Sequence, residues 1–476
     1  MAIDEALINS LKAALSGVEI LTTDSEKFEQ SLKRWSDSAE KRASAVVLPR
    51  SAEEVSATIL FAGKHALDIA VCGGGHSCKG SSSSDGGIVI DLSKMRNVVV
   101  SSEEQTLAVD GGCLWVDVDS AAARHGLATV GGTVNHTGVG GLILGGGYGW
   151  LSGQYGLVVD NLLSMEVVLA NGRIMTVSEK ENPDLFFALR GAGQCFGVVT
   201  KFIIKAFPQT EPVWAGLLIF SPEDVEKVID FANQLAKDSD GKSAMQVGIT
   251  APTPLGPSAA LLGVVFYNGP KEEAESLFAP VTQDIMPLLN TTASIPYEAV
   301  NTLVNEMTAH GGRRTLKGTT TVAPLSAALF RDLMEDVTQF VTDLPEAGGS
   351  LVIFEIISPK KIISVPNTAM AFANRGEYYN CVVTPKWQNL EHDEYCRQWS
   401  RDVAAKISAQ SERTKREHSL KLEMEGVGEY GNYDGLDLSA KKIFGPNYER
   451  LINLKTVYDP NNVFNKAFDL RPALRN

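Results

Sequence analysis

A run of three glycines followed by a histidine is the part of this sequence best suited to chemistry. Residues 73–77 read Gly-Gly-Gly-His-Ser and follow the apolar residues 69–71. Glycine lets a backbone approach a bound group closely and leaves its N–H groups free to donate to an anion. The imidazole of His76 would then lie at the edge of that contact. The loop therefore predicts a site for a phosphate-containing group.

A second glycine-rich passage runs from Gly131 to Gly149. Nine of its nineteen residues are glycine, and most of the others are apolar. Flexible linkers combine glycine with serine rather than with aliphatic residues, so this passage is predicted to be ordered. The two passages together predict a large anionic cofactor held between two loops.

The elements that position these loops can be predicted from the apolar pattern. Strands are expected at 69–71, 88–92, 97–100, 106–109, 162–170 and 197–206, with helices over 1–45 and 116–125. Beyond Pro208, helices at 222–237 and 271–286 flank strands at 245–250, 260–267, 350–357 and 378–384. These later strands cannot easily all join the first sheet, which favours a separate α+β domain. The chain past Gly426 is expected to be rich in loops.

The composition excludes several classes of partner. A formal net charge of −14 argues against nucleic acid and anionic membranes, which need a basic surface. The sequence has no apolar run long enough for a membrane span and no signal peptide at its start, so we expect a cytoplasmic protein. Six scattered cysteines without CxxC pairs predict free thiols and no metal site. A small-molecule substrate and a monomer or homodimer are the simplest expectations.

Two common nucleotide-binding motifs do not fit. The pair Gly138-x-Gly140 is followed by Ile143 where a Rossmann turn needs its third glycine. Gly241-Lys242 has Ala236 where a P-loop needs its first glycine. The cofactor is therefore not held by either standard turn.

A specific resemblance is carried by motifs that stand in the same order along nearly the whole chain. Residues 49–55, 73–77, 86–92, 145–149 and 190–199 resemble the FAD-binding domain of the vanillyl-alcohol oxidase superfamily, of the PCMH type. Residues 430–433, 447–451 and 458–464 resemble the berberine-bridge-enzyme branch. The resemblance implies an α+β fold with two α+β subdomains around FAD and an antiparallel substrate sheet flanked by helices. The expected domains are 1–208 for FAD, 209–425 for substrate, and a C-terminal segment, 426–476, that returns to the FAD domain.

The resemblance also implies where FAD binds. Its pyrophosphate would lie on the backbone of residues 73–77, and His76 would be bonded covalently to the 8α-methyl carbon of the flavin, which raises the flavin potential. The implied FAD contacts are Gly73, Gly74, Gly75, His76, Ser77, Val134, His136, Thr137, Gly138, Gly140, Gly141, Leu142, Gly146, Tyr148, Gly149, Val199 and Asn462.

Two residues depart from the family pattern. Many relatives form a second flavin bond through a cysteine that aligns with Val134, and valine has no nucleophile. A single link through His76 is therefore predicted, unless another thiol such as Cys113 reaches the ring. Relatives usually carry a histidine at the position of Leu142, and His136 could supply a replacement imidazole.

The catalytic base is left open among several residues. The strand that carries a polar or acidic group in some relatives has Val382 here, with Asn380 on the same face. Tyr433 and Tyr430 are the leading candidates for proton abstraction, although an unperturbed tyrosine, with a pKa of about 10, is a poor base at neutral pH. Glu355 lies in an apolar strand and is the rival base.

The sequence is compatible with three functions. The first is an FAD-dependent oxidase that takes a hydride from an alcohol, a sugar hemiacetal or a secondary metabolite, and passes the electrons to O2 to give H2O2. The second is a dehydrogenase or oxidative cyclase on the same scaffold that reacts poorly with O2. The third is a flavoprotein with little or no catalysis. Proteins of the family that the sequence resembles are often secreted, whereas the start of this sequence favours a cytoplasmic location.

Overall fold

The computed structural model describes residues 4–251, 258–422, 424–434 and 437–471. Its first half contains two sheets. The helices are α1 (Glu5–Ala14), α2 (Phe28–Ser31), α3 (Ala52–Lys64), α4 (Trp115–Ala123), α5 (Val139–Leu144), α6 (Ser152–Tyr155) and α7 (Pro183–Ala192). The strands are β1 (Glu19–Leu21), β2 (Ala45–Leu48), β3 (Ile69–Cys72), β4 (Ile88–Asp91), β5 (Val98–Ser101), β6 (Thr106–Asp110), β7 (Leu127–Ala128), β8 (Leu162–Leu169), β9 (Ile174–Ser178), β10 (Gly197–Lys205) and β11 (Phe207–Pro208).

The smaller of these sheets has the order β1-β2-β4-β3, and β4 pairs with β2 and β3 in parallel. The larger sheet, in the order β5-β6-β10-β8-β9, is antiparallel throughout. The parallel strands are buried along their whole length, as strands with both faces covered must be. The glycine run of residues 73–75 leaves the end of β3, so the parallel sheet positions the predicted anion loop.

The second half is built on one antiparallel sheet. Its strands are β12 (Val213–Phe220), β13 (Ser243–Thr250), β14 (Ala260–Tyr267), β15 (Leu289–Asn290), β16 (Ala293–Ile295), β17 (Arg313–Arg314), β18 (Lys317–Thr321), β19 (Leu351–Ile357), β20 (Tyr379–Thr384) and β21 (Lys386–Trp387). The main order is β15-β12-β14-β13-β19-β20-β18, with β16 also pairing with β12, while β17 and β21 form a separate pair. The helices are α8 (Val225–Asp238), α9 (Lys271–Thr282), α10 (Tyr297–Val300), α11 (Ala327–Asp343), α12 (Lys360–Ile363) and α13 (Asp393–Glu417).

The two faces of this sheet have different neighbours. Residues such as Met245, Val352 and Phe354 point to one face and form a core with α8, α11 and α13. Their neighbours in sequence point to the opposite face, because side chains alternate along a strand. That opposite face is turned toward the first half of the chain and forms one wall of a large cavity.

The C-terminal segment returns to the first half through α14 (Ala440–Phe444) and α15 (Tyr448–Tyr458). Lys455 on α15 is buried, pairs with Asp459 at 2.7 Å and donates to the carbonyl of Cys195. Phe464 packs into the core around the parallel sheet. Residues 435–436 and 472–476 of the segment lie outside the described part of the chain.

The predicted α+β class is confirmed, and one local prediction is wrong. Residues 1–45 were expected to be helical, but α1 ends at Ala14 and β1 follows, because the apolar residues at 18–21 pair with β2. The described chain past Gly426 is rich in loops as predicted, and α14 and α15 are its α-helices. None of the helices in the described ranges has both the length and the apolar character needed to cross a lipid bilayer.

Candidate active site

The loop of residues 73–77 presents free backbone donors to the cavity. No acceptor in the described part of the chain takes a hydrogen bond from the N–H groups of these five residues. Gly75 has a φ of +69°, in the left-handed region that favours glycine. A Cβ on Gly74 would lie 2.3 Å from the backbone nitrogen of Gly138, so the two glycine-rich passages touch here. Unpaired N–H groups at the wall of a cavity are suited to the oxygens of a phosphate.

Most residues predicted from the sequence line this one cavity. They are Gly73, Gly74, Gly75, His76, Ser77, Val134, Thr137, Gly138, Gly140, Gly141, Leu142, Tyr148, Val199, Glu355, Tyr430 and Tyr433. The structure therefore brings the two glycine-rich passages, the C-terminal tyrosines and the buried glutamate together. Five other predicted residues, Gly146, Gly149, His136, Asn380 and Asn462, do not line it.

Gly146, Gly149 and Asn462 have positions that explain their residue types without a ligand. Gly146 has a φ of +124°, and a Cβ there would meet the ring of Phe372. Gly149 packs directly against the carbonyl of Gly131. Asn462 adopts a φ of +51°, which asparagine tolerates better than most residues. These three residues shape the backbone around the cavity rather than its surface.

A cluster of imidazoles lies behind the glycine run. Nε2 of His76 is 2.9 Å from Nδ1 of His136, and the ring of His310 lies against both, with centroid distances of 5.5 and 4.9 Å. Trp35 stacks on His76 at 5.0 Å with an interplanar angle of 12°. His136 is thus a partner of His76 behind the cavity wall, and its role as a replacement imidazole stays a prediction.

The electrostatics of this cluster keep the imidazoles neutral. Burial, the neighbouring imidazoles and the cation of Arg314 lower the pKa of His76 well below its ordinary value. Burial lowers the pKa of His136 to about 4, with His310 and Arg314 acting in the same direction. The ring nitrogens of the three histidines lie within 4.8 Å of one another, a spacing that a metal ion could also use. The sequence predicted no metal site and gave no sign of this grouping.

The opposite wall of the cavity is formed by the antiparallel sheet of the second half of the chain. Gln246 on β13 and Glu355 on β19 are direct cross-strand partners, and Nε2 of Gln246 donates to Oε1 of Glu355 at 3.4 Å. The hydroxyl of Tyr433 donates to the same oxygen at 3.0 Å. The second oxygen, Oε2, is buried and has no partner in the described part of the chain. Burial raises the pKa of Glu355 to about 7, and its two hydrogen bonds only partly oppose this rise.

The other polar candidates are less suited to take a proton. Burial and the nearby Glu355 carboxyl raise the pKa of Tyr433 well above its ordinary value. Burial also raises the pKa of Tyr430, whose hydroxyl oxygen accepts from the N–H of Gly147 and from Asn432. The side chain of Asn380 lies outside the cavity, where its Oδ1 accepts from Asn374. Val382 takes the cavity position on that strand, so the wall there is apolar.

The lining residues that were not predicted from the sequence include Trp35, Gln246 and Lys466. Trp35 lies in a short irregular segment between α2 and β2 that carries no motif. Gln246 sits in an apolar strand, and only its pairing with Glu355 shows its role. Lys466 follows the C-terminal motif and pairs with Asp68 at 2.6 Å, which holds this part of the C-terminal segment against the start of β3. Of the thiols, that of Cys78 lines the cavity. The thiol of Cys113 is buried elsewhere and donates a hydrogen bond to the carbonyl of Asn97.

The residues present fit FAD. Such a cofactor needs a loop of free N–H donors and a long cavity, and the cavity runs from residues 73–77 to the antiparallel sheet of the second half. Gly74 and Gly138 lie in contact there, and a side chain on Gly74 would break this contact. Residues 73–77 would hold the pyrophosphate, and the end of the cavity near Glu355 would receive the substrate. FAD bound there supplies a two-electron acceptor.

Comparison with known proteins agrees with this assignment. Residues 43–178 match the model of the FAD binding domain, and residues 429–467 match the berberine and berberine-like model. The FAD-linked oxidoreductase pgmH of Aspergillus terreus is 34% identical over 485 residues, which cover 99% of this chain and 97% of that protein.

Solved structures show the same fold. The BBE-like 1 protein of Physcomitrella patens superposes with a TM-score of 0.83 at 21% identity, covering 97% of this chain and all of the other. The 6-hydroxy-D-nicotine oxidase of Arthrobacter nicotinovorans superposes with a TM-score of 0.80 at 24% identity, covering 96% and 99%. The chain therefore belongs to the FAD-linked oxidoreductases, with an FAD binding domain and a berberine-like C-terminal segment.

Proposed function

We propose that this oxidoreductase is an oxidase that takes a hydride from the carbon of a hydroxyl-bearing small molecule and gives the electrons to O2, with H2O2 as product. The observation that supports this most is the carboxyl of Glu355, whose free oxygen Oε2 is buried at the cavity wall. Oxidation of an alcohol requires an acceptor for the hydroxyl proton as well as one for the hydride. Glu355 would accept the proton, and FAD held in the cavity would supply the hydride acceptor.

Glu355 suits this role because of its pKa and its free oxygen. A general base works best when its pKa lies near the working pH, and burial raises the pKa of Glu355 to about 7. Tyr433 and Gln246 both donate to Oε1, which leaves Oε2 free for a substrate hydroxyl. Tyr433 then orients the carboxyl and does not itself act as the base, because its own pKa is raised.

The substrate end is more apolar than a sugar requires. Besides Gln246 and Glu355, the sheet contributes Ile353, Val382 and Leu262 to the wall. Each buried hydroxyl without a partner costs about 1–3 kcal/mol. Among the open substrate classes, this favours an alcohol or secondary metabolite with few hydroxyls over a sugar hemiacetal.

FAD is proposed to be held by one covalent bond, from His76 to the 8α carbon. His76 lines the cavity, and Val134 lines it at the position of the second link in many relatives. Valine cannot form that bond. With His76 as the only attachment, acid precipitation of the protein should carry the yellow colour into the pellet.

Anaerobic mixing followed by air tests the oxidase assignment. The holoenzyme is mixed without oxygen with alcohols, phenols and sugars, and the flavin absorbance at about 450 nm is followed. Bleaching by a substrate and rapid recovery in air support the oxidase. Bleaching with slow recovery assigns a dehydrogenase or oxidative cyclase instead, and the absence of bleaching with every compound supports a weakly catalytic flavoprotein.

A further inference from the structure

A chain of hydrogen bonds behind the FAD loop runs from the substrate domain to His76. The hydroxyl of Thr308 donates to the carbonyl of Val304 at 2.9 Å. Because its one hydrogen is used there, Oγ1 of Thr308 can only accept at its other contact, which is Nε2 of His136 at 3.4 Å. Nε2 of His136 therefore carries the hydrogen.

The remaining atoms of the chain follow from this first assignment. A neutral imidazole carries one N–H, so Nδ1 of His136 has a free lone pair. That lone pair lies 2.9 Å from Nε2 of His76, which must then be the donor. Nδ1 of His76 is left without a hydrogen. It is the nitrogen of this ring that can form a new bond.

The ring of His76 is also fixed in space. Trp35 stacks on it, and Nε1 of Trp35 donates to the carbonyl of Thr308 at 2.6 Å. Thr308 thus holds Trp35 through its carbonyl and, through His136, sets the tautomer of His76. Arg314 stacks on Trp35 at 4.6 Å and opposes a positive charge on the nearby imidazoles, which keeps them neutral and nucleophilic.

We infer that Thr308 and His136 are positioning residues that set the tautomer of His76 for its attachment to FAD through Nδ1. This inference rests on the covalent bond proposed above. Since Thr308 belongs to the substrate domain, attachment of the cofactor requires that domain to be docked on the FAD domain.

The attachment step is balanced with O2 as oxidant. The lone pair of His76 Nδ1 forms the new N–C bond, and the 8α carbon gives up one C–H hydrogen as a proton. The second proton comes from Nε2 of His76, and Nδ1 of His136 is placed to accept it. Two electrons remain on the isoalloxazine, and O2 takes them up with the two protons to give H2O2.

The test measures how much FAD is bonded covalently, separately from how much is bound. Each protein is purified as expressed, incubated with FAD in air for increasing times and precipitated with acid, and the pellet is examined by mass spectrometry for one added FAD. His136→Leu removes the acceptor and should slow attachment by about 10²-fold. His136→Asn keeps an acceptor oxygen that can hold the tautomer of His76 but cannot take its proton, so it should restore the rate only in part.

Thr308→Val and Thr308→Ser form a second, milder pair. Valine matches threonine in shape but lacks the acceptor, so attachment should slow by about tenfold, whereas serine should preserve it. His125→Leu removes an exposed imidazole that is hydrogen-bonded to Ser102, and it should attach FAD like the parent protein. Total FAD, bound and covalent together, should be equal in all variants.

The outcomes separate the two proposals. If the parent protein releases all its FAD on acid treatment, the covalent bond to His76 is wrong. If the parent protein is covalent and both His136→Leu and Thr308→Val attach FAD at the parental rate, the positioning role is overturned while the covalent bond stands. Equal losses in Thr308→Val and Thr308→Ser would also overturn it, since packing rather than the hydroxyl would then be responsible.

Discussion

The hydroxyl of Tyr433 donates to Oε1 of Glu355 across 3.0 Å, and so joins the C-terminal segment to the middle of the substrate sheet. The two residues are 78 positions apart in the sequence. Their contact gives a buried carboxyl one occupied and one free oxygen. The position of the carboxyl that we propose as base is thus set by a residue of the C-terminal segment.

Replacing Glu355 by glutamine should remove the base while keeping the shape of the side chain. The rate of anaerobic flavin bleaching by substrate should fall by about 10²–10⁴-fold, the usual contribution of general base catalysis. FAD content should not change. Glu412→Gln, an exposed glutamate on α13, is the matched control and should react like the parent protein. A loss of less than threefold, roughly, would assign proton removal to another group.

Tyr433→Phe should shift the pH dependence of the same reaction upward. Glu355 must be ionised to act, so the rate rises with pH through its pKa of about 7. The hydrogen bond from Tyr433 favours the ionised form and therefore lowers this pKa, and its loss should raise the midpoint. Bleaching rates measured from pH 5 to pH 9, roughly, would show the shift. A lower midpoint, or a loss of rate equal at every pH, contradicts it.

His76→Ala should abolish covalent attachment of FAD, leaving only cofactor that acid releases. The proposed single link leaves no other bond, because Val134 has no nucleophile and burial raises the pKa of the Cys78 thiol to about 12, which disfavours its reactive thiolate. Acid precipitation and denaturing gel fluorescence measure the result. Covalent flavin that persists in His76→Ala but disappears when Cys78 is also replaced would identify a second attachment site.

Asp119→Asn should stabilise the protein above neutral pH. Asp119 on α4 is buried and accepts from Nδ2 of Asn301, and burial raises its pKa from 3.8 to about 7. Between these values the folded chain keeps a proton that the unfolded chain releases, so the parent protein loses stability as pH rises from about 4 to about 7. The variant should be more stable by roughly 1–3 kcal/mol at about pH 8.

The advantage of Asp119→Asn should vanish near about pH 3, below the ordinary pKa of aspartate, where this residue is protonated in both states. The new amide can also donate to Oδ1 of Asn301, which is buried without a partner in the described residues. Unfolding by urea at several pH values gives the comparison. A difference in stability that stays the same from acid to alkaline pH would rule out titration of Asp119 as its cause.

Gly74→Ala should weaken both folding and FAD binding. The new Cβ would fall 2.3 Å from Gly138 N, and backbone cannot move aside as a side chain can. A cost of about 1–3 kcal/mol is expected for such overpacking. Gly63→Ala on α3 is the control, because a Cβ there meets nothing within 4 Å and alanine favours a helix. The thermal midpoint and the FAD content after purification report both effects, and equal behaviour of the two variants would contradict the close contact.

The cofactor side of the site could be predicted from the sequence because it depends on local motifs. Glycine is required where backbone meets backbone, as at Gly74 with Gly138 and at Gly149 with Gly131, and such glycines are visible as runs in the sequence. The parallel strand β3 before the loop was equally visible as a short apolar segment. These features need no knowledge of distant contacts.

The polar details could not be predicted, since they depend on pairing across the fold. Gln246 lies opposite Glu355 because of the register between β13 and β19. The ring of His310 contacts that of His76 although the two residues are far apart in the sequence. Tyr433 ranked above Glu355 from its motif alone, whereas burial changes the pKa of each and favours Glu355 as base. Register and burial are properties of the assembled chain.

The return of the C-terminal segment has a consequence for how the enzyme is made. The wall of the cavity includes residues from Trp35 to Ala467 of a 476-residue chain. A growing chain therefore cannot complete the cavity until Ala467 has left the ribosome. A chain truncated before Phe464 would lack part of the wall and leave the core around the parallel sheet unfilled.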